Sequence, residues 1–242
     1  MADGKPTLHY LQDSQAHLVL WVLEELGIEY HLVLHNRIAA RSPPELKAVH
    51  PLGKSPTLVT PSGRVITERS AITLWLLNTY DKAGRFRIPS SPTGEGTEDD
   101  DVVREEQLIS LGGATLGPLL MMKLIFELLV RRAPFFVRPL VAGVRYALNS
   151  AFLDAELAHV VGYLDSELAA KDGKGSRKWF LGTEEPTRAD FSTLWYLDWA
   201  NQWGWIDMEK YPRLKEFHAR CLERPAWKRA LEKGNGYNLK FW

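Results

Sequence analysis

The chain has 242 residues, of which 45% are hydrophobic and 25% charged, and these values are ordinary for soluble globular proteins. Thirty lysines and arginines balance thirty aspartates and glutamates, so the net charge is about zero and the basic surface typical of nucleic-acid-binding proteins is not expected. The single cysteine, Cys221, cannot form an internal disulfide, which favours a reducing compartment such as the cytoplasm.

Export and membrane signals are weak. The first residues, Met1 to Pro6, contain no apolar segment and do not predict a signal peptide. The most apolar run, residues 116–130, contains a glycine, a proline and two charged residues, and it is shorter than the ~20 residues that a membrane span needs. We therefore expect a soluble protein without a membrane span.

The N-terminal part begins with alternating strand and helix patterns. Residues Thr7 to Leu11 predict a strand, and Tyr30 to Leu34 predict a second one. Between them lies a helical pattern that ends at Gly27 and has apolar residues at helical spacing: Val19, Val22, Leu23 and Leu26. A strand, a helix and a strand in this order predict a parallel pair with a right-handed crossover.

The next elements complete a small α/β domain. Residues 42–47 predict a short helix with proline in its first turn. Two short β-branched runs around Pro61-Ser62-Gly63 predict a hairpin, and residues 71–80 predict a helix. The layout is thioredoxin-like, although the Cys-x-x-Cys motif of thioredoxin is absent.

Residues of complementary chemistry surround this hairpin. Lys54 precedes the first hairpin strand and Glu68 follows the second, so we expect both on one edge. The proline after Ser55 leaves backbone groups of Ser55 free to pair. Ser70 is predicted as the N-cap of the next helix, whose N-terminus favours an anion. This combination suits a short peptide with two carboxylates and one ammonium group.

These residues resemble the glutathione-binding half of the cytosolic glutathione transferases. The resemblance is carried by Gly53-Lys54-Ser55-Pro56, the hairpin, and Glu68-Arg69-Ser70-Ala71-Ile72. It implies a cis Pro56, preceded by a Ser55 backbone that pairs with the cysteinyl part of glutathione. It also implies a Lys54 contact with the glycyl carboxylate, and a γ-glutamyl end held by Glu68 and the residue after it.

Two positions in this site differ from the family. Arg69 stands where the family usually has serine, and Ser70 follows one residue later, so Arg69 or Ser70 is expected to meet the γ-glutamyl carboxylate. His50 stands before Pro51, where the family often has asparagine. It either contacts the glycyl end of glutathione or caps the loop.

Ser14 is the candidate catalytic residue. The segment Asp13-Ser14-Gln15-Ala16 and the following helix resemble the opening of a fungal and bacterial serine-type branch of the family. In this reading the Ser14 hydroxyl and the helix N-terminus favour the thiolate of glutathione. The alternative for Ser14 is a plain helix N-cap. Tyr10 is a rival hydroxyl donor, although its place in the strand favours core packing.

The second half of the chain predicts only helices. A linker, residues 87–98, is followed by an acidic run, residues 98–101, that either begins a solvated helix or reaches glutathione across a dimer interface. Thr187 and Asp190 form a predicted capping box before Phe191, and this box also matches the family. Residues 113–150 fit no assignable pattern.

A pocket for the electrophilic substrate is expected between the two halves by analogy with the family. The candidates, for which ordinary core packing is the alternative, are Leu116, Leu120, Met121, Phe241 and Trp242. The histidines show no metal-ligand spacing, and we expect no metal and no cofactor, with glutathione as co-substrate. Cys221 is expected to be buried and inert.

The sequence thus predicts a glutathione transferase fold. Its parts are a thioredoxin-like glutathione-binding domain (1–86), a linker (87–98) and an all-helical domain (99–242). The expected reaction joins the glutathione thiolate to hydrophobic electrophiles, with reduction of hydroperoxides as a second activity, in a homodimer. The alternative is a non-catalytic binding or regulatory module of the same fold. A cysteine-type glutathione reductase is disfavoured because no cysteine lies near the first turn.

Overall fold

The computed structural model describes residues 4–88, 98–170 and 175–240. In the second range it describes side chains from residue 102 onward. Its four strands are β1 (Thr7–Leu11), β2 (His31–His35), β3 (Thr57–Val59) and β4 (Val65–Thr67). The strand order is β2-β1-β3-β4, with β1 parallel to β2 and antiparallel to β3. The predicted parallel pair and hairpin are both confirmed.

Three helices accompany this sheet: α1 (Ala16–Leu26), α2 (Glu45–Val49) and α3 (Arg69–Tyr80). The helix α1 ends as predicted at Gly27, whose positive φ of 63° lets its N–H reach the carbonyl oxygen of Leu23 at 3.1 Å. It buries nine of its eleven residues, because it packs against α3 on one side and C-terminal helices on the other.

The start of α3 differs from the prediction. The helix begins at Arg69, so Ser70 lies inside its first turn and the predicted Ser70 N-cap is wrong. Glu68, which precedes the helix, has a φ of 67°, a region that non-glycine residues rarely adopt. This unusual backbone makes the sharp entry from β4 into α3 and exposes the Glu68 side chain.

The remaining part is helical, as predicted. Its helices are α4 (Glu98–Ser110), α5 (Gly117–Arg132), α6 (Arg138–Leu148), α7 (Asp154–Glu167), α8 (Arg188–Trp203), α9 (Pro212–Glu223) and α10 (Pro225–Lys233). Two π-helical segments, Leu111–Leu116 and Asn149–Leu153, join α4 to α5 and α6 to α7. The predicted linker falls largely between the described ranges, so the domain boundaries stay a prediction.

The helix from Val102 to Arg132 is long and apolar enough to cross a membrane by length and composition, with 28% of its most apolar window buried. The expectation that this region is too short was wrong, because the π-helical segment makes α4 and α5 continuous. A Cβ atom at Gly112 would lie 2.5 Å from the Tyr196 ring, so only glycine lets this helix approach α8 so closely.

The helix α8 lies at the centre of the second half and packs against α3 and α1. The predicted capping box is confirmed: Asp190 accepts hydrogen bonds from the N–H of Thr187 at 2.7 Å and from its hydroxyl at 3.0 Å. Burial nevertheless raises the pKa of Asp190 to about 6, against the opposing effect of these bonds.

Ion pairs join α1 to the last two helices. Glu25 binds Arg224, and Glu24 binds both Arg229 at 2.8 Å and Lys233 at 2.5 Å. Both carboxylates are largely buried, so these pairs fix α1 against α10 more firmly than surface ion pairs would.

Candidate active site

A cleft with a volume of about 210 Å³ lies where the β1–α1 turn meets the helical part. Its polar wall comes from the turn and two neighbouring loops, and its apolar wall from α5, α8 and the chain end. The lining residues are Leu11, Asp13, Ser14, Gln15, Arg37, Ser42, Lys54, Ser55, Met121, Trp195, Trp199 and Leu239.

Ser14 lies at the base of the cleft, in the turn before α1, with 6% of its surface exposed. Its hydroxyl donates to the carbonyl oxygen of Leu11 at 2.7 Å and accepts from the N–H of Ala16 at 3.2 Å. The second bond resembles an N-cap contact, although Gln15 occupies the N-cap position. The structure thus combines the capping role of Ser14 with a place in the cleft.

The N-terminus of α1 opens toward the same space. Among the described residues, no acceptor is found for the main-chain N–H groups of Ser14 and Gln15, and both residues line the cleft. Free N–H groups at a helix N-terminus favour an anion, because the helix dipole adds to their hydrogen-bonding capacity. The base of the cleft is therefore suited to a thiolate.

Two cationic side chains, Lys54 and Arg37, line the cleft. The Arg37 guanidinium donates to the carbonyl oxygens of Gln12 and Asp13, both at 3.0 Å, and so braces the turn before Ser14. Burial lowers the pKa of Arg37 from its usual value, while the nearby Asp13 carboxylate opposes this effect. The two side chains give the cleft two positive charges that favour a bound carboxylate.

Ser55 joins the cleft to the sheet. The Ser55–Pro56 peptide bond is cis, as the resemblance implied. The Ser55 hydroxyl donates to the carbonyl oxygen of His9 and accepts from the N–H of Leu11, both at 3.0 Å. These bonds fix Ser55 to β1 beside the cleft, and its main-chain groups have no partner among the described residues.

The apolar wall agrees only in part with the predicted electrophile pocket. Met121 lines the cleft, together with Trp195, Trp199 and Leu239. Leu116 and Leu120 are almost completely buried and are not among the residues that line the cleft, so their assignment to the pocket stays a prediction. Leu120 faces the protein interior, whereas Met121 is exposed. Phe241 and Trp242 lie outside the described residues.

Several predicted glutathione-binding residues lie outside the cleft walls. His50 ends α2, and its ring nitrogen Nδ1 accepts from the N–H of Leu52 at 3.4 Å, which is the loop-capping alternative. Pro56 is buried below the cleft, while Glu68 is exposed at the start of α3. The Ser70 hydroxyl lies 3.4 Å from the Arg188 guanidinium, which donates to it.

Arg69 does not present its guanidinium to a ligand. The side chain is buried and donates to the hydroxyls of Ser192 at 3.1 Å and Tyr196 at 3.3 Å, both on α8. Burial lowers the pKa of Arg69, partly offset by its interaction with Tyr196. The expected side-chain contact with the γ-glutamyl carboxylate therefore finds no support, although the buried Nη1 atom of Arg69 has no hydrogen-bond partner among the described residues.

Tyr10 and Cys221, the other side chains considered as a donor or a nucleophile, are both buried. Tyr10 is fully buried, and its hydroxyl donates to the carbonyl oxygen of Gly236 at 2.8 Å. Burial, together with the nearby Asp13 carboxylate, raises the pKa of this hydroxyl. Cys221 is also buried, and burial raises the pKa of its thiol far above the ordinary value. Neither group is therefore a nucleophile or donor for the cleft.

Sequence reasoning missed the apolar wall of α8 and the cation at Arg37. Trp195 and Trp199 are spaced four residues apart, but this spacing is equally typical of a buried core helix. Arg37 follows β2 in a loop without any motif, so no local signal identifies it. Within the described residues, no cluster of three or more metal-ligating side chains is found.

Comparisons with known proteins agree with this geometry. Profiles of the families described as "Glutathione S-transferase, N-terminal domain" and "Glutathione S-transferase, C-terminal domain" match residues 14–79 and 144–234. Glutathione S-transferase 3 of Schizosaccharomyces pombe is 28% identical over 93% of this chain and 86% of its own. Glutathione S-transferase 1 of Saccharomyces cerevisiae is 24% identical over 97% of each chain.

Solved structures show the same fold. A glutathione S-transferase from Actinobacillus pleuropneumoniae superposes with a TM-score of 0.72 and 25% identity, covering 98% of this chain and 96% of its own. A glutathione transferase of Phanerochaete chrysosporium, solved with oxidized glutathione, gives a TM-score of 0.70 and 23% identity, covering 96% and 98%. Together with the two family profiles, which cover more than half of the sequence, these matches show that the chain is a transferase and belongs to the glutathione S-transferase family.

Proposed function

We propose that the enzyme binds glutathione in the cleft described above, ionises its thiol at the N-terminus of α1, and joins it to hydrophobic electrophiles. The observation that carries this proposal is the meeting of three features: the Ser14 hydroxyl with free N–H groups, the cations Lys54 and Arg37, and the apolar wall. An anionic nucleophile and an apolar substrate would thus lie side by side, as a conjugation reaction requires.

The peptide is proposed to lie between these groups. Lys54 meets the glycyl carboxylate, with Arg37 adding positive charge, and the main-chain groups of Ser55 pair with the cysteinyl part. The exposed Glu68 carboxylate receives the γ-glutamyl ammonium, and the N–H groups of Arg69 and Ser70, in the first turn of α3, receive the γ-glutamyl carboxylate. Of the remaining predicted residues, His50 and Pro56 shape the loop around Lys54.

Ionisation of the thiol requires a modest free energy. Lowering a thiol pKa from ~8.5 by about two units corresponds to roughly 2.7 kcal/mol. A hydrogen bond from a hydroxyl to a charged acceptor contributes ~1.5–3 kcal/mol. The Ser14 hydroxyl would have to turn from the Leu11 carbonyl oxygen toward the sulfur, and the N–H groups of the turn add to its effect. One serine and one helix N-terminus are therefore sufficient.

The same thiolate can reduce organic hydroperoxides. Its sulfur would attack the peroxide oxygen and release an alcohol, leaving a sulfenic acid on glutathione. A second glutathione would then displace water and give glutathione disulfide. We propose this peroxidase reaction as a second activity, and detoxification in the cytoplasm by a homodimer as the setting of both.

A pH–rate profile of conjugation to chlorodinitrobenzene tests the role of Ser14. We expect Ser14→Ala to keep the glutathione affinity within a few-fold, to lower turnover, and to raise the apparent pKa of the bound thiol toward ~8.5. Ser42→Ala, which removes another hydroxyl that lines the cleft, is the control and should leave the profile unchanged.

Three other outcomes are informative. Coinciding profiles for wild type and Ser14→Ala would leave Ser14 as a helix cap only. Glutathione binding without conjugation of any electrophile in the wild type would favour the non-catalytic module. A mass of one chain in light scattering at micromolar concentration would contradict the homodimer.

A further inference from the structure

The connection between α5 and α6 exposes an unusual amount of apolar surface. We call residues 133–148 the hairpin tip. Phe135 is 83% exposed, and Phe136, Leu140 and Tyr146 are each exposed by more than 70%. The helix α6 buries none of its residues. Single exposed apolar side chains are ordinary, but a contiguous group of this size indicates an interaction site.

The exposed side chains form ordered rows. On α6 they are Leu140, Val144 and Leu148, spaced four residues apart and therefore on one face of the helix. On α5 the exposed row is Met121, Ile125 and Leu129, with the same spacing. Met121 also lines the cleft. An apolar surface thus runs from the cleft along α5 to the hairpin tip.

Positive charge accompanies this surface. Residues 128–153 contain four arginines and no aspartate or glutamate, although the whole chain is balanced. Arg145 pairs with Glu127 at 2.6 Å, whereas Arg132 and Arg138 are exposed beside the two phenylalanines. Exposed aromatic side chains flanked by arginines are typical of segments that lie in the interface of an anionic membrane.

We propose that the hairpin tip docks on an anionic lipid bilayer, with Phe135, Phe136 and Leu140 entering the headgroup region and Arg132 and Arg138 meeting lipid phosphates and carboxylates. Charge complementarity favours this occupant over the same hairpin tip of a second copy of the chain. Two hairpin tips in contact would bring arginines against arginines, without a carboxylate in residues 128–153 to compensate.

The contacts of α5 indicate a helix that lies on the membrane surface. On its inner side Leu119, Leu120 and Leu124 are buried in the protein core. The buried Lys123 donates to Asp154 on α7 at 2.5 Å. These contacts would be lost if the helix crossed a bilayer, so the apolar row on its outer side is available for surface contact only.

The proposed docking also suggests a class of substrates, and this step rests on the proposed function. A bilayer in contact with the hairpin tip lies at one end of the apolar row that leads to the cleft through Leu129, Ile125 and Met121. Long-chain electrophiles dissolved in the membrane would then enter the cleft along this row. Soluble electrophiles would have no need of it.

Co-sedimentation with vesicles tests the docking in the absence of glutathione. We expect wild type to bind vesicles of phosphatidylcholine and phosphatidylserine much more tightly than pure phosphatidylcholine. The Phe135→Ser/Phe136→Ser variant should lose at least ~10-fold in partitioning. Arg132→Gln and Arg138→Gln should each lose roughly five-fold, and only on anionic vesicles. Leu231→Ser, which removes a half-exposed leucine on α10, should bind as wild type does.

Equal binding of the phenylalanine variant, or no binding by wild type, would overturn the proposal. The proposal would also be overturned if light scattering without lipid gave a lower mass for the phenylalanine variant than for wild type. That result would show that a second copy of the chain covers the hairpin tip in the wild type. Conjugation of soluble chlorodinitrobenzene should be unchanged in that variant, whereas conjugation of a long-chain electrophile carried in anionic vesicles should fall. An equal fall in both rates would contradict the proposed route to the cleft. It would not change the conclusion on vesicle binding, because that binding is measured without glutathione.

Discussion

The carboxylate of Asp13 accepts a hydrogen bond from the main-chain N–H of Asn238 at 2.6 Å. Asp13 immediately precedes Ser14, and Asn238 belongs to the segment after α10, in which Leu239 lines the cleft. The same segment is held by the Tyr10 hydroxyl at Gly236 and by Gln202 at Leu239. The turn that carries the candidate catalytic serine is therefore fixed by the end of the chain.

Asp13→Ala should weaken this junction. Asp13 has a φ of 49°, which asparagine tolerates better than alanine, and the N–H of Asn238 would lose its acceptor. We expect the free energy of unfolding to fall by ~1–3 kcal/mol and the KM for glutathione to rise. Denaturant unfolding and steady-state kinetics measure both quantities. Asp13→Asn keeps an oxygen acceptor, so its free energy of unfolding and its KM for glutathione should stay close to the wild-type values. If Asp13→Asn is as impaired as Asp13→Ala in both quantities, this explanation is contradicted.

Lys54→Ala should weaken glutathione binding far more than it lowers stability. Lys54 is exposed at the rim of the cleft and has no ion pair among the described residues, so its removal leaves the fold intact. Truncating one partner of a charged contact in a binding site costs ~2–5 kcal/mol when the other charge is buried, and an exposed pair lies at the low end. Titration calorimetry with glutathione measures the change. Lys82→Ala, an exposed lysine outside the cleft walls, is the control, and equal affinities of the two variants would refute the assignment.

Glu68→Ala should behave in the same way if Glu68 receives the γ-glutamyl ammonium. The side chain is exposed, so its loss should barely change stability, and alanine at a φ of 67° keeps the backbone strain that glutamate already has. Glu68→Gln keeps the shape of the side chain without its charge, so it separates the effect of the charge from that of the side-chain atoms. A glutathione dissociation constant that is unchanged in both variants would exclude Glu68 from the site.

The local elements of this fold could be predicted because each has a local signal. The strand patterns, Gly27 and the Thr187–Asp190 capping box all act within a few residues, and the structure contains each of them. The start of α3 was misplaced because the positive φ of Glu68 overrides the cap preference of Ser70. No short-range rule identifies such a backbone.

The sequence predicted the polar residues of the candidate site but little of its apolar wall. Ser14, Lys54 and Ser55 lie in motifs, and all three line the cleft. The opposite wall depends on which face of α5 and α8 turns outward, and tertiary packing decides this. Leu120 and Met121 are neighbours in sequence, yet the first is fully buried and the second is exposed at the cleft. Apolar character alone could not distinguish them.

Arg69 is expected to stabilise the fold without holding glutathione. Its guanidinium links α3 to α8 through Ser192 and Tyr196, so Arg69→Met should lower the free energy of unfolding by ~1–3 kcal/mol. The dissociation constant for glutathione should stay within a few-fold, because the Arg69 side chain is bonded to α8 and does not line the cleft. Thermal unfolding and calorimetry on the same preparation separate the two effects. A large loss of affinity in a fully folded variant would return the side chain to the binding site.

His17 is expected to make the fold sensitive to acid. The ring is buried on α1 against Trp227 and Tyr237, its Nε2 atom has no partner, and burial lowers its pKa to about 3. Below an unfolded-state pKa of ~6.5 the unfolded chain binds a proton that the folded protein does not, so stability falls as the pH falls, by ~2 kcal/mol between pH 7 and 5. The raised pKa of Asp190 acts in the opposite direction below about pH 6, because the folded protein then binds its proton first.

A comparison of variants isolates the histidine, since Asp190 is common to all of them. Asparagine at position 17 can place an amide near Nδ1, which lies 3.1 Å from the Tyr10 hydroxyl. His17→Asn should therefore lose ~2 kcal/mol less than wild type between pH 7 and 5 in denaturant unfolding, even if it is less stable at pH 7. His159→Asn removes an exposed histidine and should keep the wild-type pH dependence. If His17→Asn and wild type lose the same stability on acidification, His17 accepts its proton in the folded state and its burial is not the source of acid sensitivity.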